Sequence, residues 1–187
     1  LSAVALSRKL QESGVEAVAV YWMASEDHDF EEINHVFINN EKVSWEIDAK
    51  GPVGHLSLSH LADFKKQLSA LFANDPLKKE MLVKLDAIYA ENKNLAEATR
   101  DFVYSVFGEL GVVVIDADDS RLKSQFKPII KRELEVQFSN KALEKSNKKL
   151  AELGYSLQVE GREINLFYML DDYRERLVKT ETGFATA

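Results

Sequence analysis

"VEAVAVYWMASEDHD", residues 15–29, is an apolar run that ends in a cluster of ionisable side chains. Its first nine residues are rich in β-branched and aromatic types, and their number favours a buried strand over a helix. The pattern recurs in "GVVVIDADD", residues 111–119, where a second apolar run ends in aspartates. Strands that alternate with helices are typical of a parallel sheet. The sequence therefore predicts an α/β fold whose parallel sheet is covered on both faces.

Apolar spacing and turn residues predict the other elements. These are a helix at 2–13 that stops at Gly14, a hairpin at 35–48 around Asn39-Asn40, a short strand at 51–58, a helical connecting segment at 59–110, one long helix at 125–153, two strand-like runs at 155–159 and 164–170, and a frayed tail after 174–180. Within the connecting segment, Asn74-Asp75-Pro76 is expected to break the helix and Asn94 to cap the last one. No repeat or linker interrupts them, so residues 1–187 are predicted to form a single region.

Composition excludes several classes of protein. With 45% hydrophobic and 29% charged residues in a chain of 187, the protein is expected to be folded and globular. The net charge of -7 has the wrong sign for a nucleic-acid partner. The chain has no cysteine, which excludes disulfides and thiolate metal sites, and no run approaches the roughly 20 apolar residues of a membrane span. We therefore expect a cytoplasmic protein that binds neither nucleic acid nor membrane.

The acidic ends of the two predicted strands form the candidate site. Ligands of open parallel sheets collect beyond the carboxyl ends of the strands, and both runs change there from apolar to acidic. The candidate residues are Ser25, Glu26, Asp27, His28 and Asp29 after the first run, and Asp116, Asp118 and Asp119 after the second. We expect both groups at the same edge of one sheet.

Helix capping is an alternative explanation for some of these residues. Ser25, Asp27 or Asp29 could cap the short helix that follows, and carboxylates at 116–119 could serve turns and caps. Capping does not explain His28. A histidine between two carboxylates can act as a general acid or bind an anionic substrate.

A metal site is a weaker interpretation. On a helix, His28, Glu32 and His35 would share a face, but "NHVF" is expected to leave the helix and the fuller motif of a zinc hydrolase is missing. Asp116, Asp118 and Asp119 could bind a magnesium nucleotide. No protein-bound metal is predicted, and His55 and His60 are interpreted as structural or solvated.

Four blocks of the sequence resemble one enzyme family. They are "VYWMASEDHDFEEINHV" (20–36), "GPVGHLSL" (51–58), "VVVIDADDSRLKSQFKPIIKREL" (112–134) and "LGYSLQVEGREINLFYML" (153–170). In this order they resemble the bacillithiol biosynthesis cysteine-adding enzymes, also called cysteine ligases. The resemblance extends from about Leu1 to Lys179.

The resemblance implies a Rossmann-like core with helical insertions, and a coiled coil used in dimerisation of the full-length protein. It implies addition of L-cysteine to the amino group of glucosaminyl malate. Because amide formation at neutral pH needs an activated carboxylate, we expect ATP or another nucleotide as co-substrate, and no tightly bound cofactor. Asp27, His28 and Asp29 match the acidic-histidine motif and are the predicted catalytic residues. Asp116, Asp118 and Asp119 match the second strand-end motif, and with Ser25 and Glu26 they are predicted to bind substrate or nucleotide.

The family's "TGQQ"-type segment and C-terminal portion are not in this sequence, which starts at Leu1 without an initiator methionine. We therefore expect this chain to be the central core of a longer enzyme, inactive by itself. Two other functions stay open at this point: a non-catalytic acidic α/β interaction domain whose long helix binds a partner, and a metal-dependent hydrolase with its metal at His28.

Overall fold

The computed structural model describes residues 1–170 and 172–187. These residues divide into two compact units, Leu1–Asp118 and Asp119–Ala187. The sequence predicted one region over the whole chain. That the two units act as one domain of the longer protein stays a prediction.

The first unit contains helices, a parallel strand pair and a hairpin. In chain order they are α1 (Ser2–Glu12), β1 (Val20–Met23), α2 (Phe30–Ile33), β2 (His35–Ile38), β3 (Glu41–Ser44), α3 (Ala62–Leu71), α4 (Pro76–Ile88), α5 (Leu95–Phe107) and β4 (Val113–Asp116), with short 3-10 helices at Val53–His55, Leu58–His60 and Gly108–Leu110. The α/β class predicted from the sequence is confirmed.

Strands β1 and β4 are parallel neighbours, as predicted. Their register pairs Val20 with Val113 and Met23 with Asp116, so both carboxyl ends lie at the same edge. The predicted burial of both strand faces is wrong for this pair. Trp22 is 60% exposed and Val113 is 43% exposed. In the part of the chain that the structure describes, this sheet consists of two strands, and their side chains are covered only in part.

The predicted hairpin is confirmed in β2 and β3. Asn39 and Asn40 have φ values of 51° and 67°, and the strands pair His35 with Ser44 on either side of this two-residue turn. Two positive φ values in succession match the right-handed twist of a hairpin, and asparagine tolerates them better than most residues.

Residues 51–58 do not form the predicted strand. The segment folds instead into two 3-10 turns. The backbone N–H groups of Val53 and Gly54 donate to the carbonyls of Asp27 and Ser25, over 2.6 and 2.9 Å. Because Pro52 has no N–H to donate, the segment is also poorly suited to a strand ladder.

The core of the first unit lies between the helical segment and the hairpin. Trp45, Leu58, Leu61 and Ala98 form one buried cluster, and Val43, Leu68 and Phe72 form another. The helix limits follow the predicted signals: Asp75 caps α4 ahead of Pro76, and Asn94 and Glu97 form a capping box at α5. The helical connecting segment predicted at 59–110 therefore also provides most of the apolar packing.

The second unit begins with helices and ends in an antiparallel sheet. Its elements are α6 (Ser120–Gln125), α7 (Lys127–Val136), α8 (Phe138–Glu152), β5 (Phe167–Leu170), β6 (Tyr173–Thr180) and β7 (Gly183–Thr186). The strand predicted at 155–159 is absent from the described residues, and Val159 instead accepts a hydrogen bond from the Asn147 side chain. The predicted frayed tail is wrong, since β7 turns back at Gly183 and pairs with β6.

The single long helix predicted at 125–153 is also wrong. Gln137 adopts a left-handed conformation (φ 46°, ψ 49°) and separates α7 from α8. The buried carboxylate of Glu133 holds the break together by accepting hydrogen bonds from the N–H of Ser139, its hydroxyl, and the N–H of Asn165. The first N–H groups of α8 have no acceptor within the helix, and Glu133 accepts from that of Ser139. A continuous helix would not need this contact.

None of the helices in residues 1–170 and 172–187 combines the length and apolar character needed to span a membrane.

Candidate functional site

Asp116, the last residue of β4, is the centre of a hydrogen-bonded network. Its Oδ1 accepts hydrogen bonds from the hydroxyl of Ser25 and, over 3.0 Å, from the N–H of Asp118. Its Oδ2 pairs with Nη2 of Arg100, on α5, at 2.8 Å. Ser25 is only 3% exposed, so its hydroxyl needs the partner that it finds in Asp116. The expectation that the two strand ends meet is confirmed for this pair.

The segment at 51–55 is fastened to the end of β1. Besides its two backbone hydrogen bonds to Asp27 and Ser25, Gly54 approaches so closely that a Cβ there would lie 2.5 Å from the Ser25 Cβ. Only glycine fits this approach without a shift. The next residue, His55, has its Nε2 2.6 Å from Oδ2 of Asp118. The segment therefore brings a histidine to the acids that follow β4.

The predicted catalytic residues form a half-exposed cluster beside this segment. His28 lies between its neighbours, with Nδ1 3.3 Å from Oδ1 of Asp27 and Nε2 3.5 Å from Oδ1 of Asp29. Asp29 occupies the N-cap position of α2, but its side chain makes no capping hydrogen bond. Ser25 and Asp27 bond instead to Asp116 and to the N–H of His28. Helix capping therefore does not account for these three side chains.

The same cluster is where a metal ion would fit best among the described residues. Asp27, His28 and Asp29 can each offer one ligand atom, and these atoms lie within 4.8 Å of one another. The trio His28, Glu32 and His35 is not brought together: His35 starts β2 and its ring bonds to the Asn34 side chain at 2.9 Å. Exposed acidic groups are common without an ion, so this proximity alone does not indicate a metal centre.

Two of the predicted binding residues have distinct surroundings. A carboxylate oxygen of Glu26 is buried and has no hydrogen-bond partner among the described residues. Asp119 belongs to the second unit, where it caps α6 by accepting from the N–H of Arg121 at 2.8 Å. Hydrogen bonds from the Arg121 guanidinium, and then from its N–H, hold the pKa of Asp119 well below its usual range. Capping accounts for the geometry of Asp119, and its binding role stays a prediction.

Sequence reasoning missed Arg100 and gave no indication that His55 would contact Asp118. Arg100 lies 16 residues before its partner, on a helix without any local motif. His55 was interpreted as structural or solvated. The available signal was its position directly after Gly54 in a Gly/Pro-opened segment, because a glycine in such a segment often marks a close approach of two backbone stretches.

A separate cavity of about 410 Å³ lies between the hairpin and the helices α3, α4 and α5. Its walls are mostly apolar, and they include Trp45, Phe64, Phe72 and Tyr89. Burial raises the pKa of Tyr89. None of the strand-end residues lines this cavity, so it is distinct from the candidate site.

Known proteins resemble the chain over almost its whole length. The family described as "Bacillithiol biosynthesis BshC, N-terminal Rossmann-like domain" matches residues 1–187. Proteins named "Putative cysteine ligase BshC" are similar to it: 43% identity in Flavobacterium johnsoniae over 89% of this chain and 31% of that protein, and 28% identity in Bacillus cereus over 98% of this chain and 36% of that protein. The chain thus spans about a third of the length of the curated relatives it matches.

The description of the matching domain confirms the Rossmann-like fold but not the predicted central position in the longer protein. Because the match covers every residue of the chain and the relatives include proteins above 40% identity, the chain belongs to the BshC family of bacillithiol biosynthesis and corresponds to the N-terminal Rossmann-like domain of that family.

Proposed function

We propose that the full-length protein containing this chain is a carbon-nitrogen ligase that adds L-cysteine to the amino group of glucosaminyl malate. The observation that supports this reaction most directly is the cysteine-ligase name of relatives that match most of the chain. The strand-end network at Asp116 supports its location, because ligands of such sheets bind beyond the carboxyl ends of the strands.

Amide formation at neutral pH needs an activated carboxylate, and a nucleotide such as ATP would supply the activation as a co-substrate. We assign Ser25, Glu26, Asp116, Asp118 and Asp119 to the binding of substrate or nucleotide. Asp27, His28 and Asp29 would handle the incoming amine, since a histidine between carboxylates can bind both ammonium and carboxylate groups.

The direct test incubates the full-length protein with L-cysteine, glucosaminyl malate and ATP, and detects the amide product by mass spectrometry. The proposal requires a product that depends on all three compounds. A folded full-length protein that forms no product would favour the alternative, a non-catalytic interaction domain. Stoichiometric metal bound at His28, with hydrolytic activity, would favour the metal-dependent hydrolase.

Residues 1–187 alone are expected to form no product, because the relatives are about three times longer. We also propose that the full-length protein is a cytoplasmic homodimer, which sedimentation and cell fractionation would test. Product formation by this chain alone would overturn the expectation that its missing flanks are needed.

A further inference from the structure

His55 differs from His28 in the way it is held. The His55 ring reaches Asp118 across 63 positions of sequence, at 2.6 Å, whereas the ion pairs of His28 are formed with its two chain neighbours. Its side chain is 39% exposed, while that of Asp118 is 14% exposed. A mostly buried carboxylate that holds a partly exposed imidazole is the arrangement of an oriented base.

The backbone beneath His55 is fixed on the side of β1. The hydrogen bonds from Val53 and Gly54 to Asp27 and Ser25 hold the preceding two residues, and Gly54 is in contact with Ser25. The ring is therefore positioned from both strand ends, through Ser25 after β1 and through Asp118 after β4. A fixed ring is what a proton acceptor needs, because misplacement by about 1 Å can lower a rate by 10²-fold.

The aspartates at and after the end of β4 also have different partners. Arg100 pairs with Asp116 at 2.8 Å, so the carboxylate that ends β4 already has a cationic partner. Asp118 follows two residues later and turns its Oδ2 to His55. Asp116 thus pairs with a permanently charged guanidinium, whereas Asp118 pairs with the imidazole ring of His55.

We propose that His55, oriented by Asp118, is the base of the amide-forming step; this inference rests on the proposed function. In that step, the amine nitrogen of glucosaminyl malate attacks the carbonyl carbon of cysteine activated as an acyl phosphate or acyl nucleotide. A C–N bond forms, and the C–O bond to the phosphate breaks with its electron pair leaving on oxygen. The proton released by the nitrogen passes to the His55 imidazole. With His55 as the base, the role of His28 is to bind the amine substrate.

The test uses the full-length protein and measures kcat and KM for His55→Ala, His55→Gln and His28→Gln. His60→Ala is the matched control, since its exposed side chain lies outside the site and only its backbone carbonyl accepts from Trp45. We expect kcat for amide formation to fall about 10²-fold or more in both His55 variants. His28→Gln is expected to raise KM for glucosaminyl malate more than it lowers kcat.

Two further readouts separate catalysis from structure. Added imidazole should restore part of the His55→Ala rate, and cysteine-dependent nucleotide consumption should persist in both His55 variants. His55→Gln can keep a donor for Asp118, so a fold that depends on this hydrogen bond would survive while the rate stays low.

Wild-type rates in the His55 variants, or a lowered rate in His55→Ala that imidazole does not raise, would overturn the base assignment and leave cysteine addition standing. A wild-type protein that forms no amide would overturn the proposed function, and the base assignment with it.

Discussion

Replacement of Gly54 by alanine should detach the 51–55 segment from the end of β1. The new Cβ would lie 2.5 Å from the Ser25 Cβ, 2.8 Å from the Ser25 carbonyl oxygen and 3.0 Å from its Cα. Ordinary contacts begin near 3.4 Å, and two of these three atoms are backbone atoms that cannot rotate away. The segment must therefore move by roughly 1 Å, because overpacking of this kind is relieved by backbone shifts.

The energetic consequence follows from the contacts that such a shift breaks. The hydrogen bonds from Val53 to Asp27 and from Gly54 to Ser25 contribute about 1 kcal/mol each, and the steric conflict adds about 1 kcal/mol or more. The local opening free energy should thus fall by about 3 kcal/mol. Amide hydrogen exchange at residues 53 and 54 should become roughly 10²-fold faster, since 1.4 kcal/mol corresponds to a factor of ten.

Hydrogen exchange of the full-length protein, followed by mass spectrometry of a peptide covering residues 50–58, measures this change. Gly108→Ala is the matched control. Gly108 has helical angles (φ -58°, ψ -44°), and the nearest atom to an added Cβ is 3.5 Å away. Gly108→Ala should therefore change the free energy of unfolding of the protein by less than about 1 kcal/mol. Unchanged exchange at residues 53 and 54 in Gly54→Ala would refute the reasoning about this segment.

Three other substitutions test the structural account, each by urea unfolding of the full-length protein together with hydrogen exchange of the affected peptide. Burial alone would raise the pKa of Glu133, but hydrogen bonds from Ser139 and Asn165 outweigh it and lower the pKa below the usual 4.5. Glu133→Gln should thus destabilise α7 and α8 by about 2 kcal/mol above pH 4.5. This difference should shrink as the pH falls through the lowered folded-state pKa, and a constant difference would contradict it. Gln137→Gly should stabilise the break between α7 and α8 by up to about 1 kcal/mol, because its left-handed φ of 46° is strained for glutamine, and a loss of stability would count against that assignment. Asn94→Ala should cost about 1 kcal/mol at the start of α5, and unchanged protection there would show that the capping box contributes nothing.

Local sequence signals predicted much of the fold. The Asn39-Asn40 turn, the Asp75-Pro76 start of α4 and the Asn94 cap each act within a few residues, and the structure has all three. The parallel pairing of β1 with β4 was also predictable, because two apolar runs with acidic ends are separated by helical segments.

Contacts between distant residues were not predictable from local pattern. Ser25 and Asp116 are 91 positions apart, and His55 and Asp118 are 63 apart. We predicted that the two strand ends lie at the same edge of the sheet, but no local pattern indicated that residues 51–55 would bond to the end of β1. The break at Gln137 was missed for another reason, since glutamine favours helices and seldom adopts a left-handed conformation.

The rate of cysteine addition by the Asp116→Asn variant tests the central claim most directly. Asparagine keeps the shape of the side chain and an acceptor for Ser25, but it removes the charge that pairs with Arg100 at 2.8 Å. Asp48→Asn is the matched control, because Asp48 is almost fully exposed and lies 3.9 Å from Lys50 in its ion pair. In the full-length protein with L-cysteine, glucosaminyl malate and ATP, we predict wild-type product formation in the control and a rate at least about 10²-fold lower in Asp116→Asn, measured at a temperature where circular dichroism shows both variants to be folded. Wild-type rates in Asp116→Asn would contradict the placement of the reaction at the ends of β1 and β4.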